Sequence, residues 1–181
     1  TNMERVKTLN MQAISKIMIF GRPGSGKSTF SLNLHKKTGI PLYHLDKYFF
    51  TSNWIERDYQ EFLNIQQSIV NLDSWIVDGN STRSLEMRYS KADLVLYFNY
   101  PRRICYRRIL NRLCAKNPEI KDRSDGCNEK IRFKMLRYTW SFERRVQKKI
   151  VEFQKRYPTI KFIEITSDKN LSILETLLFW P

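Results

Sequence analysis

Nothing in the chain restricts its fold as tightly as residues 16–38. An apolar run, Lys16-Ile17-Met18-Ile19-Phe20, feeds directly into Gly21-Arg22-Pro23-Gly24-Ser25-Gly26-Lys27-Ser28. The residues after it set Phe30, Leu32 and Leu34 among polar positions and stop at Gly39 and Pro41. The order reads as buried strand, glycine loop and helix with a C-terminal glycine signal. The loop satisfies G-x-x-x-x-G-K-S in full and sits in the strand–loop–helix context that the pattern requires.

Further elements follow the same rhythm. Pro41-Leu42-Tyr43-His44-Leu45, Trp75-Ile76-Val77, Leu94-Val95-Leu96-Tyr97-Phe98 and Ile160 to Ile165 are short apolar runs bounded by polar or turn residues. Asp58 followed by Glu61 forms a capping-box pattern ahead of Phe62, Ile65, Ile69 and Leu72 at helical spacing. Helices are expected over about 102–113, 129–156 and from about 171, with a loop over 114–128. Strands that are apolar throughout, alternating with helices, indicate a parallel sheet covered on both faces. Right-handed crossovers then gather the loops at the carboxyl ends of the strands, where ligands bind in such folds. The glycine loop, Asp46, Asp78 and Asn99 all fall at that edge.

The loop's chemistry follows from its backbone. Glycines allow positive φ and close approach to a phosphate, and the N–H groups of residues 24–29 (Gly24 to Thr29) converge at a helix N-terminus that favours an anion. Lys27 is expected to bridge the β- and γ-phosphates of a nucleoside triphosphate, with the Ser28 hydroxyl on magnesium. Asp78, ending the third strand, is expected to hold the metal from the other side, although Asp-Gly is also a common turn pair. The expected cofactors are ATP and Mg2+.

Charge points to anionic partners too. The net charge is +14, and residues 101–156 hold 18 of the 32 Lys and Arg but only 6 of the 18 Asp and Glu. A polyanion is therefore implied mainly for that stretch, either a triphosphate or a nucleic acid. Cys105, Cys114 and Cys127 show no Cys-x-x-Cys spacing, which argues against zinc and against a disulfide framework. No apolar run approaches the roughly 20 residues of a membrane span. The first fifteen residues mix Glu4, Arg5 and Lys7 with scattered apolar positions, unlike a secretory signal, so a cytoplasmic protein is expected.

With these residues in view, the sequence resembles the adenylate-kinase-like branch of P-loop kinases over most of residues 16–170. Val95-Leu96-Tyr97-Phe98-Asn99-Tyr100-Pro101 and Arg108-Ile109-Leu110-Asn111-Arg112 look like the fourth strand and pre-lid helix of adenylate kinases. Tyr43-His44-Leu45-Asp46, the segment Asp73 to Asn80, and Arg123-Ser124-Asp125-Gly126-Cys127 before Glu129 are more similar to the DNA topology modulation (FlaR-like) proteins. The resemblance implies an α/β three-layer P-loop NTPase fold with a five-stranded parallel sheet of order 2-3-1-4-5. It implies one domain over 1–181, with a core of about 16–112 and 157–181 and a helical basic lid of about 113–156. It also implies that Arg108 stacks near the adenine and that Arg112 and Arg123 reach the phosphates. Spacing of i, i+4 puts Arg108 and Arg112 on one helix face, and arginine's planar fork suits both tasks.

The acceptor side departs from adenylate kinases. Their Thr-Gly-Asp-x-Leu-Arg corresponds to His44-Leu45-Asp46-Lys47-Tyr48-Phe49, and their Asp-Gly-Phe-Pro-Arg to the segment Asp78 to Arg83. AMP recognition therefore does not carry over, while Arg83 and Arg88 remain acceptor candidates. Asp46 suits a hydroxyl acceptor, whose proton a carboxylate takes or orients. His44 could help to position Asp46. Tyr43, Tyr48, Phe49, Phe50 and Trp54 could stack on a base or pack as core. The expected activity is phosphoryl transfer to a small acceptor. The alternative is an ATP-dependent nucleic-acid binder using residues 101–156, with Tyr138, Trp140 and Phe142 interleaved among the basic positions.

Overall fold

A computed structural model of the chain describes residues 14–50, 55–114 and 133–179. The strands are β1 (Lys16–Gly21), β2 (Leu42–His44), β3 (Trp75–Asp78), β4 (Leu94–Phe98) and β5 (Lys161–Ile165). The helices are α1 (Lys27–Thr38), α2 (Leu45–Phe49), α3 (Tyr59–Val70), α4 (Leu85–Tyr89), α5 (Arg102–Cys114), α6 (Phe133–Arg156) and α7 (Asp168–Phe179). The five strands form one parallel sheet of order β2-β3-β1-β4-β5, the order expected from the sequence.

Each central strand feeds two cores because successive side chains point to opposite faces. Met18, Phe20, Trp75, Val77, Val95 and Tyr97 pack on one side. There they meet Phe62 and Ile69 of α3, Leu85 of α4, and Phe142, Val146, Ile150 and Phe153 of α6. Ile17, Ile19, Ile76, Leu94, Leu96 and Phe98 pack on the other side with Phe30 and Leu34 of α1, Cys105 of α5, and Leu174 and Leu178 of α7. The result is a three-layer α/β arrangement. Each of these large apolar side chains contributes about 1.5–3 kcal/mol by leaving water.

This packing changes the expected division of the chain. Phe142, Val146, Ile150 and Phe153 recur at helical spacing and are all buried, so the second half of α6 is core rather than lid. Of the expected lid at 113–156, residues 115–132 lie outside the described residues. Two short helices, α2 and α4, were not anticipated, because five residues carry too little periodicity to register as a helix. The capping expectation at Asp58 holds in half. Its carboxylate accepts from the N–H groups of Gln60 and Glu61, both at 3.0 Å. Glu61 does not close the box but pairs with Arg57. Gly39 ends α1 as expected, with φ +73° and its N–H donating to the His35 carbonyl.

β1 lies between β3 and β4, so the chain reverses its direction of progress across the sheet at the end of β1. That switch point opens a crevice at the carboxyl edge. The glycine loop emerges into it.

Candidate functional site

The loop is shaped by its own backbone and by its neighbours. Gly24 (φ +78°) and Gly26 (φ +92°) occupy the left-handed region, and a Cβ on Gly24 would stand 2.6 Å from the Cys105 carbonyl oxygen. A side chain at Gly24 would therefore be strained and would also collide with α5. Gly26 is the N-cap of α1 and offers no side-chain cap, and the first turn of α1 holds no acidic residue. The contrast with α3, capped by Asp58, is physical. Among the described residues no side chain competes for the N-terminal amides of α1, which remain available to an anion.

Behind the loop, Asp78 ends β3 and is 4% exposed. Its Oδ2 accepts from His44 Nδ1 at 3.0 Å. The pairing follows from register: β2 and β3 are adjacent and parallel, and His44 sits opposite Asp78. Asp78 Oδ1 is buried and makes no close hydrogen bond among the described residues. Burial opposes ionisation of this carboxyl. The His44 hydrogen bond, the Lys27 ammonium, the His44 ring and the Ser28 hydroxyl together outweigh burial and hold its pKa below the ordinary carboxylate value. Lys27, Ser28 and Asp78 are thus brought together, and a buried carboxylate oxygen without a partner is what a cation would satisfy. No group of three or more His, Cys, Asp or Glu occurs among the described residues. A metal here would rest on one carboxylate, a hydroxyl, phosphate oxygens and water, the donor set magnesium takes beside phosphates.

Two neighbours of the loop have structural tasks. Asn80 Oδ1 accepts from the Gly21 N–H at 2.9 Å and ties the end of β1 to the turn after β3. Arg22 is 2% exposed. Its guanidinium donates to the Tyr100 carbonyl and, at 2.9 Å, to Glu143 of α6, while its own N–H donates to the Phe98 carbonyl. Expected as a nucleotide contact, Arg22 instead spends these groups inside the protein and anchors the loop to α6. Pro23 and Ser25 remain in the loop wall, with the Ser25 N–H on the Arg22 carbonyl.

Arg108 stands at the loop's outer flank. Its guanidinium lies 4.7 Å from the centre of the Tyr100 ring and donates to the Ser25 carbonyl at 3.0 Å and to Asp168 at 2.6 Å. Arg112 is described only as a backbone position of α5, and Arg123 lies outside the described residues.

The acceptor candidates divide. Asp46 is exposed in the first turn of α2, at the same sheet edge as His44. Arg83 is exposed, with its guanidinium 4.0 Å over the Tyr59 ring. Arg88 is fully buried and donates to Gln66, to Ser84 Oγ at 3.0 Å and to the Ser81 carbonyl at 3.1 Å. Among the described residues it meets no carboxylate, and burial pulls its pKa down to about 10. Tyr138 of α6 was missed as a site residue. Its hydroxyl donates to the Asn80 carbonyl at 3.3 Å. Burial raises its pKa, the Asp46 charge raises it further, and Arg145 and Arg88 act in the opposite sense. His44 was expected to serve Asp46 but pairs with Asp78. Its signal was present, since strands 2 and 3 are neighbours in the expected order and both end in a polar residue.

The three aromatic residues interleaved in the basic segment divide. Phe142 is fully buried, Tyr138 is half-buried, and Trp140, at 57% exposure, carries Arg102 at 4.6 Å and lies 6.5 Å from the Tyr106 ring. Among the described residues no helix is long and apolar enough to cross a membrane.

No protein-family model matches the chain, and no curated protein matches it significantly in sequence. Solved structures do match in fold. A shikimate kinase from Bacteroides thetaiotaomicron aligns over 91% of this chain and 96% of its own, at TM-score 0.52 and 14% identity. A shikimate kinase from Acinetobacter baumannii, in complex with shikimate, aligns over 93% and 95%, at TM-score 0.54 and 13% identity. The chain has a P-loop kinase-like α/β fold.

Proposed function

We propose that the protein is a magnesium- and ATP-dependent phosphotransferase acting on the hydroxyl of a small acceptor that also carries an anionic group. The observation that carries this reading is the meeting of an uncapped helix N-terminus, Lys27 and Ser28 with the buried carboxylate of Asp78, whose Oδ1 makes no close hydrogen bond among the described residues. The loop amides would hold the β-phosphate and Lys27 the β- and γ-phosphates. Ser28 and Asp78 would hold Mg2+, which on binding supplies charge neutralisation of the transferring phosphoryl group.

The acceptor side rests on Asp46 and Arg88. The acceptor oxygen attacks the γ-phosphorus, the bond from phosphorus to the β–γ bridging oxygen breaks, and ADP leaves. The hydroxyl proton passes to the Asp46 carboxylate. Arg88, a buried cation that meets no carboxylate among the described residues, supports an anionic acceptor, because an anion would offset the cost of its desolvation. Arg83 would contribute at the rim. Arg108 is proposed near the base, and Arg112 and Arg123 at the phosphates, from the resemblance alone. The likeness to shikimate kinases fits a hydroxyl acceptor, and the resemblance to DNA topology modulation proteins concerns the same segments. Among the described residues nucleic-acid binding by residues 101–156 gains no specific observation, since Phe142 is core and the Tyr138 hydroxyl bonds the Asn80 carbonyl.

The test is ADP formation by the full chain against a panel of hydroxy acids, sugars, nucleosides and nucleotides. Lys27→Ala should lower acceptor-dependent turnover by about 10²–10³-fold, the loss typical of one transition-state donor. Hydrolysis of ATP that no acceptor stimulates would end the kinase assignment.

A further inference from the structure

Asp78 has two carboxylate oxygens with opposite environments. Oδ2 is held at 3.0 Å by His44 Nδ1, while Oδ1 is buried with no close partner among the described residues, and the Lys27 ammonium and Ser28 hydroxyl act on the same carboxyl group. An ionised carboxylate only accepts, so Nδ1 carries the proton of that hydrogen bond and the ring's tautomer is fixed. Both side chains are buried, at 9% and 4% exposure, so the hydrogen bond between them is shielded from bulk water. The backbone imposes the pairing, because His44 and Asp78 are register partners at the ends of adjacent parallel strands. The terminal torsion of an aspartate is broad and roughly two-fold, so a lone carboxylate has no fixed orientation. A single donor on one oxygen removes that freedom.

We infer that His44 is a positioning residue of the metal–triphosphate site, holding Asp78 Oδ2 so that Oδ1 is the oxygen presented to the cation beside Ser28. The inference rests on the triphosphate–magnesium reading above. It assigns His44 a task that neither the loop motif nor the fold likeness assigns. It also explains why a histidine at the end of an edge strand is turned inward rather than left in water.

Two substitutions separate positioning from a strap that merely joins β2 to β3. Asparagine places an amide donor near the Nδ1 position, whereas glutamine reaches only the Nε2 position. The readout is the affinity of the full chain for a non-hydrolysable ATP analogue, measured with Mg2+ and with a chelator, alongside the melting temperature. Wild type should bind more tightly with Mg2+. In His44→Gln the tightening by Mg2+ should fall about 10-fold, as for other outer partners of a metal ligand, with metal-free affinity retained. His44→Asn should restore most of it. The inference is overturned if His44→Gln keeps the wild-type Mg2+ effect, or if metal-free and metal-bound affinities fall together. Wild type showing no Mg2+ effect at all would instead remove the triphosphate–magnesium reading, and this inference with it.

Discussion

Arg88 sets the sharpest condition at the scale of single residues, because among the described residues its fork is buried against neutral acceptors. Gln66, Ser84 and Ser81 satisfy part of it, while the Arg88 Nε and Gln66 Nε2 atoms are buried without partners among the described residues. Lysine keeps the charge but cannot reproduce the fork. Arg88→Lys should therefore destabilise the fold by about 1–3 kcal/mol, the cost of leaving buried polar atoms unpaired, as read from urea denaturation. It should also weaken binding of any anionic acceptor. An unchanged midpoint would contradict the assigned hydrogen bonds. Little of this was legible in the chain. Arg88 was a site candidate by resemblance, but its burial depends on Gln66 arriving from α3, a contact 22 residues away that no local pattern encodes. The glycine loop was legible because its chemistry is local: positive φ, a helix start and a lysine fall within eight consecutive residues.

Among the elements, α6 departs from the basic lid that the family resemblance implied. Its charge describes only the outward face of an amphipathic helix, and the inward face carries Phe142, Val146, Ile150 and Phe153. Two residues two positions apart separate the accounts. Phe142→Ala should cost about 3–5 kcal/mol as a core truncation, while the exposed Trp140→Ala should stay within about 0.5 kcal/mol. Equal, small effects in urea denaturation would return α6 to the lid. The start of α7 is tied to α5 by Arg108 and Asp168. The Arg108 hydrogen bond leads in lowering the Asp168 pKa, opposed by burial and aided by Tyr100. A carboxyl depressed in the folded state stabilises at pH above its ordinary value and loses that contribution as pH falls through the folded value. The melting-temperature gap between wild type and Asp168→Asn should thus be small at pH 7, because Asp168 is 73% exposed. It should vanish in strong acid, and a gap that widens there would reverse the assignment.

Across the whole molecule, sheet order makes the site. Placing β1 between β3 and β4 brings the glycine loop against Asp78, and placing β2 beside β3 delivers His44 to the same carboxylate. The alternation of apolar runs and helices made a parallel sheet covered on both faces readable, and the family resemblance supplied its order. The proposed acceptor side was not readable, because its residues come from α2, α3, α4 and α6, distant parts of the chain. The central claim is that this edge holds a triphosphate with magnesium. Calorimetric titration of the full chain with a non-hydrolysable ATP analogue, with and without Mg2+, tests it most directly. Saturable one-to-one binding, tightened by Mg2+ in wild type and lost in Lys27→Ala, is the predicted result. Absence of saturable binding, or equal binding by Lys27→Ala, would contradict it.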